Sequence, residues 1–327
     1  MSDDLRAGDP EVDYLISYGK KQVPFYRVHA RPLTGLTPIP ESAFTGRSNV
    51  LFACEVDVVV LGEDFLPAYT VGDNSLVVAT DSMKNIIIKQ ALAYDGATHE
   101  GYLASLARTL IDRYDHLRDL QLDVREIPFP ASTVTTVSGT FGPSDVLFDH
   151  VPQGDHSVAR MRVRRGTDDA AIEIVEQESG RVGLRLLKVT GSSFTAFVHD
   201  EHTTLPDRRD RPLFISLDVF WTYLDANDWL GDDPTRYVAG EQVGDLCRTV
   251  FHDFVSESIQ HLVHEMGLRM LGRFPQLAAI RFVANNLTKD PFHVSEVDPT
   301  IKVYSDPFPA FGEITLRMTR KTASGKD

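Results

Sequence analysis

The sequence lacks several features that mark common classes of protein. It has only two cysteines in 327 residues, Cys54 and Cys247, and their apolar neighbours and spacing suit neither a disulfide nor a metal site. Its apolar runs stay well short of the ~20 residues that a membrane-spanning helix needs. It also has no glycine-rich phosphate loop, no dinucleotide fingerprint and no GxSxG elbow. We therefore expect two buried thiols in a reducing compartment and no membrane span.

Basic residues are scarce relative to acidic ones. The chain has 33 Lys and Arg against 47 Asp and Glu, which gives a formal net charge of -14. A negatively charged surface repels polyanions, so general nucleic-acid binding is not expected. The amino-terminal residues include Asp3 and Asp4 and lack the basic and apolar segments of a secretion signal. We therefore expect a cytoplasmic protein.

Hydrophobic periodicity predicts an α+β protein made of two similar halves. The predicted strands are 12–28, 50–61, 120–129, 156–165, 171–175, 183–189, 194–198, 213–223, 277–284 and 312–318. The predicted helices are 80–93, a second from a capping Thr98 to 114, and two between 240 and 271 with a break near 256–258. A strand pair, two helices and a strand pair thus occur twice, which favours two copies of one α+β unit over a parallel α/β fold. Glycine and proline cluster between Gly142 and Gly154, which predicts units of 1–150 and 151–327.

Two charged clusters favour structural explanations over a functional site. His261, His264 and Glu265 would lie on one helix, but their order differs from the HExxH of zinc proteases and a third ligand is missing. We therefore expect surface histidines and no metal. Residues 160–165 read Arg-Met-Arg-Val-Arg-Arg, and strand alternation places the first three arginines on one solvated or interface face.

Segment 69–85 carries the most specific pattern. It reads Tyr-Thr-Val-Gly-Asp-Asn-Ser-Leu-Val-Val-Ala-Thr-Asp-Ser-Met-Lys-Asn, and it resembles the signature of the urate oxidase (uricase) family. Three further short matches to the family occur in the family's order along the chain. They are Tyr-Gly-Lys at 18–20, a Phe-x-x-Phe with Asp-Glu-x-Thr-Thr-Leu and an arginine within 194–211, and Ile-Gln at 259–260. The resemblance therefore extends over most of the chain.

The resemblance implies a tandem tunnelling fold, in which each half is an antiparallel sheet with two helices packed on one face. Subunits of that family close into a barrel-like homotetramer whose active sites lie at subunit interfaces. In this chain, the implied site takes Lys20, Thr80 and Asp81 from one subunit. It takes the remaining residues from another subunit, namely Phe194, Arg211, Ile259 and Gln260.

The implied reaction is the oxidation of urate by O2 and water to 5-hydroxyisourate and hydrogen peroxide, without a metal or an organic cofactor. Urate is a planar anion at neutral pH, so Phe194 suits its face, while Arg211 and Gln260 suit its polar edge. The backbone amides of Asp81 and Ile259 would complete the contacts in the ring plane.

Lys20 and Thr80 would form the proton relay of that reaction. A lysine that is removed from water and lies beside a hydroxyl can accept a proton near pH 7. Asp81, which follows Thr80, would orient this relay through its side chain.

One departure from the family concerns a late strand, where uricases commonly carry an asparagine and, two residues later, a histidine over the urate plane. Here 282–288 reads Phe-Val-Ala-Asn-Asn-Leu-Thr, without a histidine at that spacing. Asn286 is the better match for the asparagine and Asn285 is the alternative. Thr288 or Leu287 then stands at the histidine position. Either water or Thr288 replaces the histidine, or the enzyme works with a changed pH profile.

Two other functions stay open at this point. A protein of the same fold could act on a pterin, but such relatives commonly use a glutamate where Gln260 stands. A purine-binding protein without activity would account for the missing histidine, but stacking and clamping alone would not require Lys20 and Thr80.

Overall fold

The strands and helices of the chain follow an order close to the predicted one. The structure is a computed structural model, and it describes residues 12–167, 172–287, 291–305 and 310–321. Its strands are β1 (Ser17–Val28), β2 (Leu51–Leu61), β3 (Asp119–Glu126), β4 (Ala131–Thr135), β5 (Phe141–Phe148), β6 (His156–Arg165), β7 (Ile172–Lys188), β8 (Leu213–Tyr223), β9 (Leu277–Asn286), β10 (Pro291–Val294), β11 (Lys302–Tyr304) and β12 (Gly312–Thr319). Its α-helices are α1 (Leu66–Thr70), α2 (Thr80–Ala93), α3 (His99–Arg113), α4 (Ala226–Leu230), α5 (Gly240–Asp253) and α6 (Ile259–Arg273).

Eight of these strands form one sheet in the order β1-β2-β3-β6-β7-β8-β9-β12. Every neighbouring pair in it is antiparallel. Two small ribbons, β4 with β5 and β10 with β11, lie outside it. The predicted combination of antiparallel strands and a few helices is thereby confirmed.

Four helices cover one face of the sheet. α2 packs on β1 and α3 on β3 and β6, while α5 packs on β7 and α6 on β9 and β12. Large side chains such as Tyr102, Trp221 and Phe282 are fully buried between the layers, where the removal of apolar surface from water stabilises the fold. Cys54 and Cys247 lie in this core without exposed surface, as predicted. None of the helices in the described ranges is long and apolar enough to cross a bilayer.

The opposite face of the sheet is polar, and the arginines of β6 lie on it as predicted. Met161 and Val163 point into the core without exposed surface. Arg160 instead donates to Asp123 on β3. Arg162 forms a two-bond pair with Asp119, with both distances at 2.8 Å. These arginines are therefore matched by the acidic side chains of the neighbouring strand.

The first four strands of the sheet and the last four contain matching register shifts. The register of β1 on β2 shifts after Lys20, and that of β7 on β8 shifts after Arg181. In both places the residue two positions later has a positive φ and donates its N–H to an aspartate of the neighbouring strand. These bonds join Gln22 to Asp57 at 2.7 Å and Gly183 to Asp218 at 2.8 Å.

The helices and their ends match as well. α2 and α5 have 14 residues each, and α3 and α6 have 15 each. Arg165 at the end of β6 donates to carbonyl oxygens in α3 and in the loop that follows it, and Arg320 just after β12 donates to carbonyl oxygens in α6 and at the start of β9. These bonds run from Arg165 to Leu117 (3.1 Å) and Ile111 (2.6 Å), and from Arg320 to Leu277 (3.1 Å) and Leu271 (2.7 Å), while Arg165 also donates to Tyr114 (2.9 Å). Through Nη2, each arginine thus satisfies a carbonyl in the last turn of a helix, Ile111 in α3 and Leu271 in α6, which the helix itself leaves without an amide partner.

Some predicted strands were wrong in extent or kind. Segments 172–175 and 183–188, predicted within separate strands, are parts of the single strand β7, because Gly183 accommodates the register shift with a φ of 79°. Residue 189 lies beyond the end of β7, and residue 171 lies outside the described residues. Segment 194–198 is not a strand. Only Phe194 forms a bridge there, to Arg208, and Ala196 has a φ of 59°, outside the extended region. β1 begins at Ser17 rather than at residue 12.

Candidate functional site

Lys20, Thr80 and Asp81 lie at one edge of the sheet. Lys20 is a half-buried residue of the edge strand β1, and Thr80 is the first residue of α2, which packs on that strand. The carboxylate of Asp81 accepts hydrogen bonds from Lys84 and, at 3.1 Å, from Asn85. The Lys84 bond lowers the pKa of Asp81 most, and the charge of Lys20 contributes less. The three predicted residues are therefore neighbours, with Asp81 ionised and tied into its own helix.

Tyr18 and Gly19 position this edge, and sequence reasoning gave neither residue a role. The hydroxyl of Tyr18 accepts the N–H of Val78 at 3.0 Å, which fixes the segment that leads into Thr80. Gly19 lies so close to β2 that a Cβ there would stand 2.0 Å from the carbonyl oxygen of Val58. The signal that could have indicated these roles was the Tyr-Gly-Lys motif, because its first two residues hold the third in place.

Phe194 and Arg211 form a second group between β7 and β8. Phe194 exchanges two backbone hydrogen bonds with Arg208, at 2.7 and 2.9 Å, and its ring stacks on Phe197 with the centroids 4.8 Å apart. Arg211 is 8% exposed, and its Cζ lies 5.4 Å from the centroid of the Phe194 ring. A half-buried aromatic face and a buried guanidinium thus stand side by side.

The start of α6 lies against the same segment. Ser192 pairs with Ser256, and the N–H of Ser193 donates to the Ser256 carbonyl at 2.8 Å. Ser258 caps the helix by accepting the N–H of His261 at 3.1 Å. The next residues are Ile259, which is buried, and Gln260, which is exposed. Their backbone amides belong to the first turn, which leaves N–H groups for an external acceptor. The structure thus joins the start of α6 to the Phe194 and Arg211 segment.

The two candidate asparagines lie at the end of β9 and on opposite faces. Asn286 follows the alternation of the buried Phe282 and Ala284, and its register partner on β8 is the buried Ile215. α6, which carries Gln260, packs on β9 from this same helix-covered face. Asn285 faces the other way. This alternation favours Asn286, while Thr288 lies outside the described residues.

A cavity of about 680 Å³ adjoins Arg211. Its lining includes Leu187, Asp210, Phe214 and Lys302. The N–H of Gly191 and the hydroxyl of Thr190 hold the carboxylate of Asp210 and lower its pKa, so it is ionised there. Arg211 and Lys302 supply positive charge to the same cavity. Among the described residues, no group of three or more His, Cys, Asp and Glu side chains could hold a metal ion.

The two groups of candidate residues are far apart within one chain. β1 is the edge strand and β8 is the sixth strand of the sheet. Five strand spacings of about 4.8 Å correspond to roughly 24 Å along the sheet. Lys20 and Thr80 therefore do not meet Phe194, Arg211 and Gln260 in a single subunit.

Comparison with known proteins gives consistent matches over most of the chain. The sequence model of the family described as Uricase matches residues 177–315. A uricase of Halalkalicoccus jeotgali is 47% identical over 273 residues, covering 84% of this chain and 88% of that protein. A uricase of Haloferax volcanii is 48% identical over 274 residues with the same coverage of both chains. The crystal structure of a uricase from Bacillus fastidious superposes with a TM-score of 0.90 at 40% identity, covering 94% of each chain.

Proposed function

The chain belongs to the uricase family, and on that premise we propose that it oxidises urate at sites that two subunits build together. The protein is an oxidoreductase that acts on urate. The observation that carries the two-subunit site is the separation of its two groups of residues, roughly 24 Å along one sheet. Because a single chain cannot bring Lys20 to Arg211, the site is complete only when the β1 edge of one subunit meets the Arg211 end of another.

The overall reaction converts urate, O2 and water to 5-hydroxyisourate and hydrogen peroxide. Urate loses two electrons and two protons, which O2 takes up to become the peroxide. Water then adds its hydroxyl group to C5 of the oxidised ring and its remaining proton to a ring nitrogen. The substrate itself is the reductant, so we propose that the protein needs neither a metal nor an organic cofactor. Its task is to bind the ring, accept a proton and hold O2 and water in place.

Phe194, Arg211 and Gln260 bind the substrate in this proposal. The half-buried ring of Phe194 supplies a stacking face, which is worth on the order of 1 kcal/mol beyond the area it buries. The buried guanidinium of Arg211 donates to the anionic edge, and the exposed amide of Gln260 can both donate and accept. The amide of Ile259 adds a donor from the first turn of α6, where the helix dipole favours a negative ligand. Asn286 holds O2 or water above the ring.

Lys20 and Thr80 of the other subunit accept the proton that urate releases. Thr80 stands at the amino end of α2, where its hydroxyl can pass a proton to the Lys20 amine on the adjacent strand. The amide of Asp81 contributes an in-plane contact, because its carboxylate is engaged by Lys84 and Asn85. Thr288 or water takes the place of the family histidine.

We also propose that the chain is a tandem of two tunnelling-fold units that assemble as a barrel-like homotetramer in the cytoplasm. Support for the repeat comes from the equal helix lengths, the matching register shifts after Lys20 and Arg181, and the matching bonds of Arg165 and Arg320. The division at residues 150 and 151 stays a prediction. An equal split of the sheet would instead fall between β6 and β7, and it would assign Arg165 to the first unit.

Oxidation of urate is favoured over both alternative functions. Membership of the uricase family and a glutamine at position 260 disfavour a pterin substrate. A purine-binding protein without activity would not require Lys20 to lie near Asp81.

An aerobic assay in chelator-treated buffer tests the proposed function. We expect the ultraviolet absorbance of urate to fall and hydrogen peroxide to appear in equal amount, and we expect neither change under nitrogen. Urate binding without turnover would support a scaffold, and the absence of both binding and turnover would refute the substrate.

A further inference from the structure

A second cavity lies between the two halves of the chain, away from Arg211. It measures about 510 Å³ and is lined by both charged and apolar side chains. The charged side chains are Arg47, Glu126, Asp155, Arg181 and Glu241, together with His99. The apolar wall includes Phe44, Ile127, Phe148 and Val151. A cavity of this size and composition suits a small planar molecule.

Several buried polar atoms in this cavity have unused hydrogen-bonding capacity. His99 is 2% exposed and stacks on Phe52. Its Nδ1 atom has no hydrogen-bond partner among the described residues, and the same is true of Nη2 of Arg47 and Oε2 of Glu241. Arg47 and Glu241 do form an ion pair, with Nε and Oε1 3.1 Å apart. Buried polar groups are rarely left unpaired, because each costs about 1–3 kcal/mol. These three atoms therefore point to a ligand.

The charges in the cavity select a neutral ligand. Arg47 and Arg181 face the three carboxylates, and Arg248 bonds to Asp155 from outside the cavity at 2.8 Å. The positive and negative charges are therefore equal in number. Burial lowers the pKa of His99 to about 3, so its ring is neutral. An added anion would leave this balance with an uncompensated buried charge, which is costly.

The position of the cavity also indicates a binding site. His99 begins α3 after the Thr98 cap, as Ile259 begins α6 after the Ser258 cap. Glu241 stands second in α5, as Asp81 does in α2. Arg181 stands at the register shift that corresponds to Lys20. The cavity is thus the counterpart, within one chain, of the proposed urate site. This correspondence rests on the proposed function, whereas the cavity and its unused polar atoms do not.

We propose that this cavity is a second binding site, for a neutral planar heterocycle that carries adjacent ring N–H and C=O groups. Oε2 of Glu241 accepts the ring N–H, and Nη2 of Arg47 donates to the carbonyl oxygen. Nδ1 of His99 binds a further polar atom of the ring, and the apolar wall covers its face. The urate site differs in chemistry, because Arg211 and Gln260 there suit an anion.

Equilibrium dialysis of labelled hypoxanthine, a neutral lactam heterocycle, tests the second site. The intact protein is held under nitrogen with saturating urate, so that urate occupies the proposed catalytic site without turnover. We expect one hypoxanthine to bind per chain under these conditions. No binding at millimolar concentration, or binding that urate abolishes, would overturn the proposal.

Two variants locate the binding. Ala131→Trp fills the cavity from β4, where Ala131 lies opposite Phe148, and Glu241→Gln removes the charged acceptor. We expect each to weaken hypoxanthine binding at least tenfold, with aerobic urate turnover unchanged. Val137→Trp, in the exposed turn between β4 and β5, is the matched control and should bind normally. Normal affinity in either cavity variant would contradict the site, whatever the outcome of the urate assay.

Discussion

The guanidinium of Arg211 lies beside the ring of Phe194, with its Cζ atom 5.4 Å from the ring centroid. Arg211 is buried and its backbone N–H donates to Ser192 at 2.9 Å. Ser192 in turn pairs with Ser256, two residues before the Ser258 cap of α6. The backbone of Ser192 therefore joins Arg211 to the start of α6, beside the ring of Phe194, and such positioning suits a clamp for a planar anion.

Replacement of Phe194 by leucine tests the stacking face. Leucine keeps an apolar side chain but removes the aromatic face, so about 1 kcal/mol of binding should be lost. We expect KM for urate to rise roughly fivefold with little change in kcat. Steady-state kinetics measures both constants. Phe292→Leu, at a side chain that is 72% exposed on β10, should leave them unchanged.

Replacement of Lys20 by methionine or Thr80 by alanine tests the proton relay. Each change removes a group that we place in proton transfer and leaves the clamp intact, so we expect kcat to fall by about 100-fold and KM to change little. Lys21→Met, at the exposed neighbouring position, is the control and should retain activity. Unchanged turnover combined with weaker urate binding would show that Lys20 and Thr80 bind substrate rather than move protons.

The buried His99 predicts a loss of stability in mild acid. Its pKa is lowered from 6.5 to about 3, first by burial and then by the charge of Arg47. Between these values the unfolded chain binds a proton that the folded chain does not. The free energy of unfolding should therefore fall by about 1.4 kcal/mol per pH unit as the pH decreases through this window. Denaturant titrations from pH 7 to 4 should give a shallower slope for His99→Gln. His202→Gln, at an exposed side chain, should keep the original slope.

Arg165 and Arg320 should contribute equally to stability if the two halves are equivalent. Each donates through Nη2 to a carbonyl oxygen in the last turn of one helix and through Nε to a carbonyl oxygen of the segment after that helix. Removal of either guanidinium leaves part-buried carbonyls unsatisfied, so Arg165→Met and Arg320→Met should each lower the unfolding free energy by about 2 kcal/mol. Chemical denaturation provides the measurement. Arg317→Met, exposed on β12, should cost less than about 0.5 kcal/mol, and a large difference between the first two variants would argue against equivalent roles.

The sequence predicted the regular elements well, because their signals are local. Thr98 caps α3 by accepting the N–H of Gly101 at 3.1 Å, and α5 and α6 are separated at the predicted break. The motif residues lie in two separate groups of the chain, and their division between subunits stays a prediction. These predictions depended on spacing within one element or on an ordered motif.

The irregular segment before β8 could not be predicted in the same way. The path of Phe194 depends on its bridge to Arg208 and on the pairing of Ser192 with Ser256, about 60 residues away in sequence. Periodicity suggested a strand there because apolar residues cluster. The cavity around Arg47 and His99 was also missed, since its charged residues and His99 come from six separate segments and form no motif.

The central claim is that a catalytic site takes Lys20 and Thr80 from one subunit and Arg211 from another, and co-expression of two inactive chains tests it directly. Lys20→Met and Arg211→Gln each damage a different share of the site. In a mixed pair of subunits one site receives both lesions and the other receives none, so random mixing should restore about a quarter of the original turnover. Lys20→Met mixed with Thr80→Ala is the matched control and should stay inactive, because both lesions lie in the same share. Recovery in the first mixture alone is the predicted result, and no recovery in a mixture proven to contain both chains in one oligomer would contradict the shared site.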